Sequence, residues 1–462
     1  MTQVITTFKE FNHNITILGA GSICVALLPL LKKHIKSNKI TIISDDNRNW
    51  TITKQYDVER VIENISIDNY KSILQKYTSK GDIVINLTVD VSSKDLVEEC
   101  QKNDVMYIDT CIQPWPGFFD NFDMDTRDRT NYSLREDMIK NKEISKNKAT
   151  AVLSHGANPG LVNHLVKDAL IDIAKKLNVN ETPSSQTEWA TLAMRIGLKV
   201  IHISERDSQF DLDKKKSDEF VNTWSVDGFI AEGILPAELG WGSHEPELPS
   251  NGVTHVYGSK AAIFLNNPGC ATKVKSWAPN TKEFEGFLIT HQESITLAEF
   301  LSVNVDNNNI YRPTVHYAYH PCDQAVESLN ELTANNLKGQ SQSRIMTDSI
   351  VGGMDELGVL LMGEFGSYWT GSQLSIDETR SLVENNNATS LQVVAPLCSA
   401  ILWMIDNTHT GILEPDDLPY DFIIENSKPY LGKYVKEYSD WYPKSSTEKT
   451  WEFKHYLIKN KM

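Results

Sequence analysis

The chain has 462 residues, with 45 Lys and Arg against 61 Asp and Glu, a formal net charge of -16. That length predicts two or three domains rather than one core, and 40% hydrophobic with 23% charged residues excludes a disordered or collagen-like chain. The acidic balance argues against nucleic acid or an anionic membrane as partner and suits a cationic ligand.

The cysteines Cys24, Cys100, Cys111, Cys270, Cys322 and Cys398 are scattered, without a CxxC. Neither a metal site nor a disulfide framework is expected from that spacing, and a reducing compartment is the default. The opening "MTQVITTFKEFNHNITIL" lacks a secretory pattern. The longest apolar stretch, "VVAPLCSAILWMI" (393–405), interrupted by Pro396 and Ser399, is shorter than the ~20 residues a membrane-spanning helix needs. A cytoplasmic protein without a membrane partner is expected.

Over the first 150 residues, β-branched runs alternate with helical patterns. The runs "NITILG" (14–19), "KITIIS" (39–44), "DIVINLT" (82–88), "VMYIDT" (105–110) and "TAVLSH" (150–155) predict strands. "NYKSILQKY" and "SKDLVEECQKN" lie between them as helices, which is the pattern of a parallel sheet with crossover helices. A long helix, "LVNHLVKDALIDIAKKL", follows "GANPG" (156–160). From about residue 183 the texture becomes aromatic-rich strands, with "KVIHIS", "GFIAEG", "AAIFLN", "GFLITH" and "PTVHYAYH" suiting a mixed or antiparallel sheet. Near the end "NATSLQVVAPLCSAILWMIDN" (387–407) resumes a buried helix that would return to the first domain.

"ITILGAGSICVALLPLL" (15–31) reads as strand, tight turn and helix. Gly19 permits the turn, and Gly21 allows a pyrophosphate to approach the positive helix end. Ser22, Ile23 and Thr88 are counted in the same cofactor-binding set. The third glycine of the usual GxGxxG pattern is Cys24 here, small enough to be tolerated. Asp45 or Asp46 at the end of the second strand would bind an adenosine ribose and repel a 2′-phosphate, which favours NAD over NADP. Arg48 beside them runs against that preference.

"NTWSVDGFIAEG" (222–233) sets the indole Trp224 near the acids Asp227 and Glu232. An indole face attracts cations and a carboxylate pairs with them, so the stretch points to a positively charged guest. A core indole with solvated acids is the alternative.

Further strings carry a resemblance. "INLTVDVSS", "YIDTCIQPWPGFF", "SHGANPGLV", "IHISERDSQ", "FVNTWSVDGFIAEG", "PAELGWG", "FLITHQESI", "YRPTVHYAYHPC", "MDELGVLL" and "YWTGSQLSI" together make the chain resemble bacterial homospermidine synthase along nearly its whole length. It departs from the family's pattern at Cys24 and at Gln113, where relatives carry Glu. The resemblance implies an α/β fold: a doubly wound Rossmann-type dinucleotide-binding domain with an inserted α+β substrate and dimerisation domain, in a homodimer. The expected bounds are 1–160, completed by about 385–425, with 161–384 inserted and 426–462 as a C-terminal extension.

The reaction implied is two putrescines to sym-homospermidine plus ammonia, with NAD taking and returning a hydride. Burying a diamine needs acids and aromatic faces. Glu205, Glu232 and Glu293 are therefore expected at strand ends of the second domain, with Trp224 holding an ammonium or iminium. His291 and Glu293, two apart on one expected strand, would face the same side. Asp90 follows the strand "VINLT" at the sheet edge where doubly wound folds bind ligands, and Asn158 in "GANPG" would orient an amine or the nicotinamide amide. A reductase of the saccharopine or carboxynorspermidine type is the alternative. Such a substrate would want an arginine, for which Arg206 and Arg312 are the candidates. An inactive NAD-binding regulator is a further one.

Overall fold

The structure is a computed structural model that describes residues 7–46, 49–119, 121, 123–306, 308–443 and 449–459. Arg48 lies outside the described residues. The chain forms two compact units, one from residues 1–129, 133–161 and 377–431, the other from 130–132, 162–376 and 432–462.

In the first unit seven strands lie in the order Ile412–Leu413, Ala151–Val152, Met106–Asp109, Ile83–Asn86, Lys9–Leu18, Ile35–Ile43, Glu59–Val61. Every pairing is parallel. The strand Lys9–Leu18 is interior, and the chain winds from it first to one side and then to the other. Its inner half, "ITIL", is buried on both faces, as a parallel strand flanked by helices must be. The helix Ala388–Asp406 is long and apolar enough to cross a membrane by length and composition, yet 83% of that stretch is buried. Its N-terminus is capped by Asn387, which accepts the Ser390 N–H while Ser390 returns a bond to the cap backbone, a reciprocal arrangement that fixes where the helix starts.

The second unit is built on a ten-stranded mixed sheet. At its centre the strand Leu198–Asp207 pairs parallel with Thr314–His320 and antiparallel with Met354–Gly363. The other pairings in this sheet are antiparallel. Among the described residues of the stretch set apart in the sequence as a C-terminal extension, several join the second unit's sheet and core. The strand Lys433–Ser439 pairs with Gly366–Ser375, and Trp451, Phe453 and Tyr456 are buried.

Side-chain alternation gives the central strands two distinct faces. His202, Ser204 and His316 point one way. His202 Nδ1 lies 3.1 Å from Ser276 Oγ, the Ser204 hydroxyl donates to the Trp277 carbonyl at 2.9 Å, and the rings of His202 and Tyr456 are 4.7 Å apart. Glu205, Asp207, Tyr317 and Tyr319 have the opposite parity and point the other way.

Two expected strands fold differently, one wholly and one in part. "GFIAEG" is part of the helix Val226–Ile234, begun by Ser225, whose hydroxyl accepts the Gly228 N–H at 3.1 Å. That cap, with Phe229 fully buried, outweighs the low helix propensity of two glycines. "GFLITH" is strand only as far as Phe287, and the helix Gln292–Phe300 starts immediately after His291.

Candidate active site

The first unit holds one group of the residues singled out in the sequence. Gly19 has φ +93°, and a Cβ there would stand 2.8 Å from the Leu87 carbonyl oxygen. The turn therefore demands glycine twice over, by backbone conformation and by close approach to the neighbouring strand's end. Gly21 precedes the helix Ser22–His34, with no side-chain cap on that helix, and a Cβ on Gly21 would meet nothing within 4 Å. Ser22 and Ile23 are half-buried in the first turn. An uncapped helix N-terminus facing open space fits a pyrophosphate.

Cys24 is fully buried, and burial pushes its thiol up to about 12, against a smaller pull from Arg60. It packs as a small apolar residue in the third glycine's place. Asp45 is exposed just past the second strand, and Asp46 donates its N–H to Ser44 Oγ at 3.1 Å. The Thr88 hydroxyl donates to Asn86 Oδ1 at 2.6 Å. Asp90 is exposed, with φ +63°.

Asn158 belongs to the loop 154–160, which Asp109 holds at its base. Asp109 Oδ1 accepts the Ser154 N–H at 2.6 Å, and its carbonyl accepts the His155 N–H at 2.8 Å. The Tyr107 hydroxyl donates to the other carboxyl oxygen at 2.7 Å. Burial pushes the Asp109 carboxyl up to about 6 against these donors.

The second unit brings the other group together. Glu205 is buried on the strand Leu198–Asp207, and the Tyr317 hydroxyl donates to it. Tyr317 and Tyr319 stack with centroids 5.2 Å apart and planes 9° from parallel. The Trp224 indole N–H donates to the Tyr319 hydroxyl at 3.3 Å, and its ring lies 5.2 Å from Phe229. Trp224 is half-buried, neither sealed in the core nor free on the surface.

His291 and Glu293 do not share a strand. His291 is the extended residue before a helix, and Glu293 sits in that helix's first turn, where a carboxylate meets the positive end of the dipole. Glu232 lies on the helix Val226–Ile234 rather than at a strand end. His291 Nε2 is 3.1 Å from Glu232 Oε2, and Nδ1 is 3.3 Å from Glu293 Oε1. The His291 ring is 4.5 Å from Tyr317. Burial alone would lower the His291 pKa, but the flanking carboxylates Glu293 and Glu232 carry it well above the ordinary value. The two carboxylates thus favour the protonated ring.

Sequence reasoning missed Asp207 and Tyr319. Asp207 is fully buried and accepts the Thr223 hydroxyl at 2.8 Å and the Gln209 N–H at 2.8 Å. Its spacing from Glu205 on one strand was the available signal. Burial raises the Tyr319 phenol well above its usual value, and Glu205, Asp207 and Asp355 raise it further. Buried carboxyl groups, Glu205, Asp207 and Glu293, thus stand among the stacked rings of Tyr317 and Tyr319 and the His291 imidazole. Carboxyl groups beside aromatic faces are the residue types that suit an organic cation, and a His–Glu pair is one that suits proton transfer.

A doubly wound unit with an open Gly-turn and a mixed-sheet unit carrying buried acids define the class of the saccharopine dehydrogenases. The saccharopine dehydrogenase NADP binding domain matches residues 15–153, and the saccharopine dehydrogenase C-terminal domain matches residues 156–439. Homospermidine synthase of Blastochloris viridis is 41% identical over 472 residues, covering 98% of this chain and 99% of that protein. That of Mesorhizobium japonicum is 41% identical over 447 residues, covering 94% and 92%. The crystal structure of the Legionella pneumophila homospermidine synthase in complex with NAD superposes with a TM-score of 0.92 at 39% identity, over 98% of this chain and 100% of that one. The chain belongs to the homospermidine synthase family.

Proposed function

We propose that the protein converts two molecules of putrescine into sym-homospermidine and ammonia, using bound NAD with no net oxidation. Two diamines bring four nitrogens; the triamine keeps three and ammonia carries off the fourth. The observation that carries the reading is the acid and aromatic cluster around His291, with Glu232 at 3.1 Å and Glu293 at 3.3 Å. A dicationic substrate is compatible with it. A substrate bearing a carboxylate would meet repulsion there, which disfavours the saccharopine-type reductase. Of the two arginines that could bind a carboxylate, Arg206 is engaged with Asp323 and the Pro321 carbonyl, and Arg312 with the Ser302 hydroxyl and the Lys260 carbonyl.

When bound, NAD supplies a hydride acceptor for the amine-bearing carbon and, once reduced, a hydride donor for the imine made with the second amine. Gly21 and the first helical turn at Ser22 and Ile23 would hold its pyrophosphate, and Asp45 or Asp46 its ribose. An ammonium must lose a proton before its carbon can give up hydride. The Glu232 carboxylate, 20% exposed on its side chain against 0% for Glu293, is the accessible acceptor. His291 donates from Nε2 to that carboxylate and orients it, while the Glu293 carboxylate, 3.3 Å from Nδ1, faces the ring from the other side. The Trp224 face steadies the substrate cation.

The test is incubation of purified protein with putrescine and NAD, followed by mass spectrometry. Homospermidine and ammonia should form in equal amounts while NADH does not accumulate. Stoichiometric NADH without homospermidine would mark a simple amine dehydrogenase instead.

A further inference from the structure

The residue before His291 is hydrogen-bonded to a fully buried carboxyl group that the proposed chemistry does not use. Glu238, on the strand Pro236–Gly240, has no exposed surface. One oxygen accepts the Asn131 N–H at 2.8 Å and the Thr290 hydroxyl at 2.8 Å; the other accepts the Tyr132 N–H at 3.0 Å. The Asn131 amide also donates to the Thr290 oxygen, at 3.1 Å, so Thr290 is held from both sides with its proton directed at Glu238.

The far end of this anchorage is itself held by contacts. The Tyr132 ring stacks on His255 with centroids 3.8 Å apart, and its hydroxyl donates to the Tyr257 carbonyl at 2.7 Å while accepting the Lys260 N–H at 2.8 Å. The near end is Thr290, the residue before His291. Two further contacts hold the helix that follows. Gly240 lets it approach so closely that a Cβ there would stand 2.3 Å from Ala298 Cβ, and the Asn163 amide donates to Thr296 at 3.1 Å. A carboxyl buried at this depth is costly unless its acceptors are filled, and here three donors fill them.

We propose that Glu238 is a positioning residue for His291: clamping Thr290 to the Asn131–Tyr132 backbone fixes the chain's entry into the helix Gln292–Phe300, and with it the imidazole between Glu232 and Glu293. The inference rests on the proposed reaction for its catalytic consequence, but the ring's position can be read without turnover.

Thr290→Val keeps the shape and removes the hydroxyl, whereas Thr290→Ser keeps the hydroxyl. Glu238→Ala removes the clamp altogether. The measurements are steady-state kinetics with putrescine and titration of the His291 ring by nitrogen NMR in full-length protein. The groups facing that ring are Glu232, Glu293 and Tyr317. Thr290→Val should lower kcat by roughly tenfold with KM little changed, because a misplaced group costs rate rather than binding. It should also move the His291 titration toward the ordinary histidine range, and Thr290→Ser should restore both.

An unchanged His291 titration and kcat in Thr290→Val, with Glu238→Ala lowering only the melting temperature, would overturn the proposal. Should wild-type protein form no homospermidine, the reaction reading fails, and the His291 titration still decides the positioning role.

Discussion

His291 Nε2 and Glu232 Oε2 stand 3.1 Å apart, on a loop end and a helix that no sequence periodicity relates. Because the pair involves a charged ring in a nearly dry setting, removing one partner leaves the other charge poorly compensated. Glu232→Gln should lower kcat/KM for the diamine by about a hundredfold, as loss of a proton-transfer group does. The pair's pH dependence has a definite sign. A histidine whose folded pKa is raised above 6.5 contributes stability that is complete below that value and is lost as pH rises through the folded one. The melting-temperature deficit of Glu232→Gln should therefore be largest near and below neutrality and shrink on the alkaline side.

Trp224 presents a half-buried indole tied to Tyr319 at 3.3 Å. Trp224→Phe keeps an aromatic face with a weaker quadrupole, and Trp224→Leu keeps only apolar bulk. Activity should fall in a graded way, with Phe milder than Leu by about 1 kcal/mol in transition-state stabilisation. Equal activities of the two variants would mean that the ring serves packing alone.

On the opposite face of the same strands, His202 and His316 are buried with ring centroids 4.0 Å apart. Burial lowers both, His316 to about 4, and His316 lowers His202 further. A depressed folded pKa gives stability that is present above 6.5 and lost as pH falls through the folded value. The melting temperature should drop between about pH 6.5 and 4, where two neighbouring rings compete to stay neutral. His316→Gln should flatten that part of the profile; an unaltered acid limb would show that other groups govern it.

Most of the doubly wound unit was legible, because five of its seven strands fall in short apolar runs with helical patterns between them, whereas the two short outer strands Glu59–Val61 and Ile412–Leu413 carry no such run. The run "NITIL" and the Gly-turn after it announce strand, phosphate turn and helix in nine residues of local pattern. The acids and aromatics near His291 were legible as residue types but not as an arrangement. Glu232 sits on a helix because Ser225 caps it and Phe229 buries it, facts of tertiary packing that outweigh two glycines. His291 and Glu293 looked like alternate residues of one strand, yet the strand stops at Phe287. Glu238 gave no signal, since its partners Asn131 and Tyr132 are more than a hundred residues away in the chain.

Cofactor choice turns on the end of the second strand. Asp45 is exposed there and Asp46 is half-buried, so a ribose hydroxyl would find an acceptor and a 2′-phosphate would find repulsion. Replacing both with Ser should weaken NAD binding and narrow its preference over NADP. Unchanged affinity for both cofactors, measured by calorimetry, would place the ribose contact elsewhere.

The two glycines of the phosphate turn should fail in different ways. Gly19 occupies φ +93° with the Leu87 carbonyl 2.8 Å from any added Cβ, so Gly19→Ala strains the backbone and pushes two strand ends apart. It should lower the melting temperature whether or not cofactor is present, through a loss of stability on the order of 1–3 kcal/mol for a strained conformation. Gly21 has an ordinary φ of -72° and open space where its Cβ would lie. Gly21→Ala should therefore leave the cofactor-free protein as stable as wild type, while the new methyl group occupies the approach to the helix N-terminus and weakens NAD binding. Thermal shift with and without NAD separates the two: Gly19→Ala should lose intrinsic stability, and Gly21→Ala should lose only the ligand-induced increment. If Gly21→Ala keeps the full increment, the pyrophosphate does not pass over this turn.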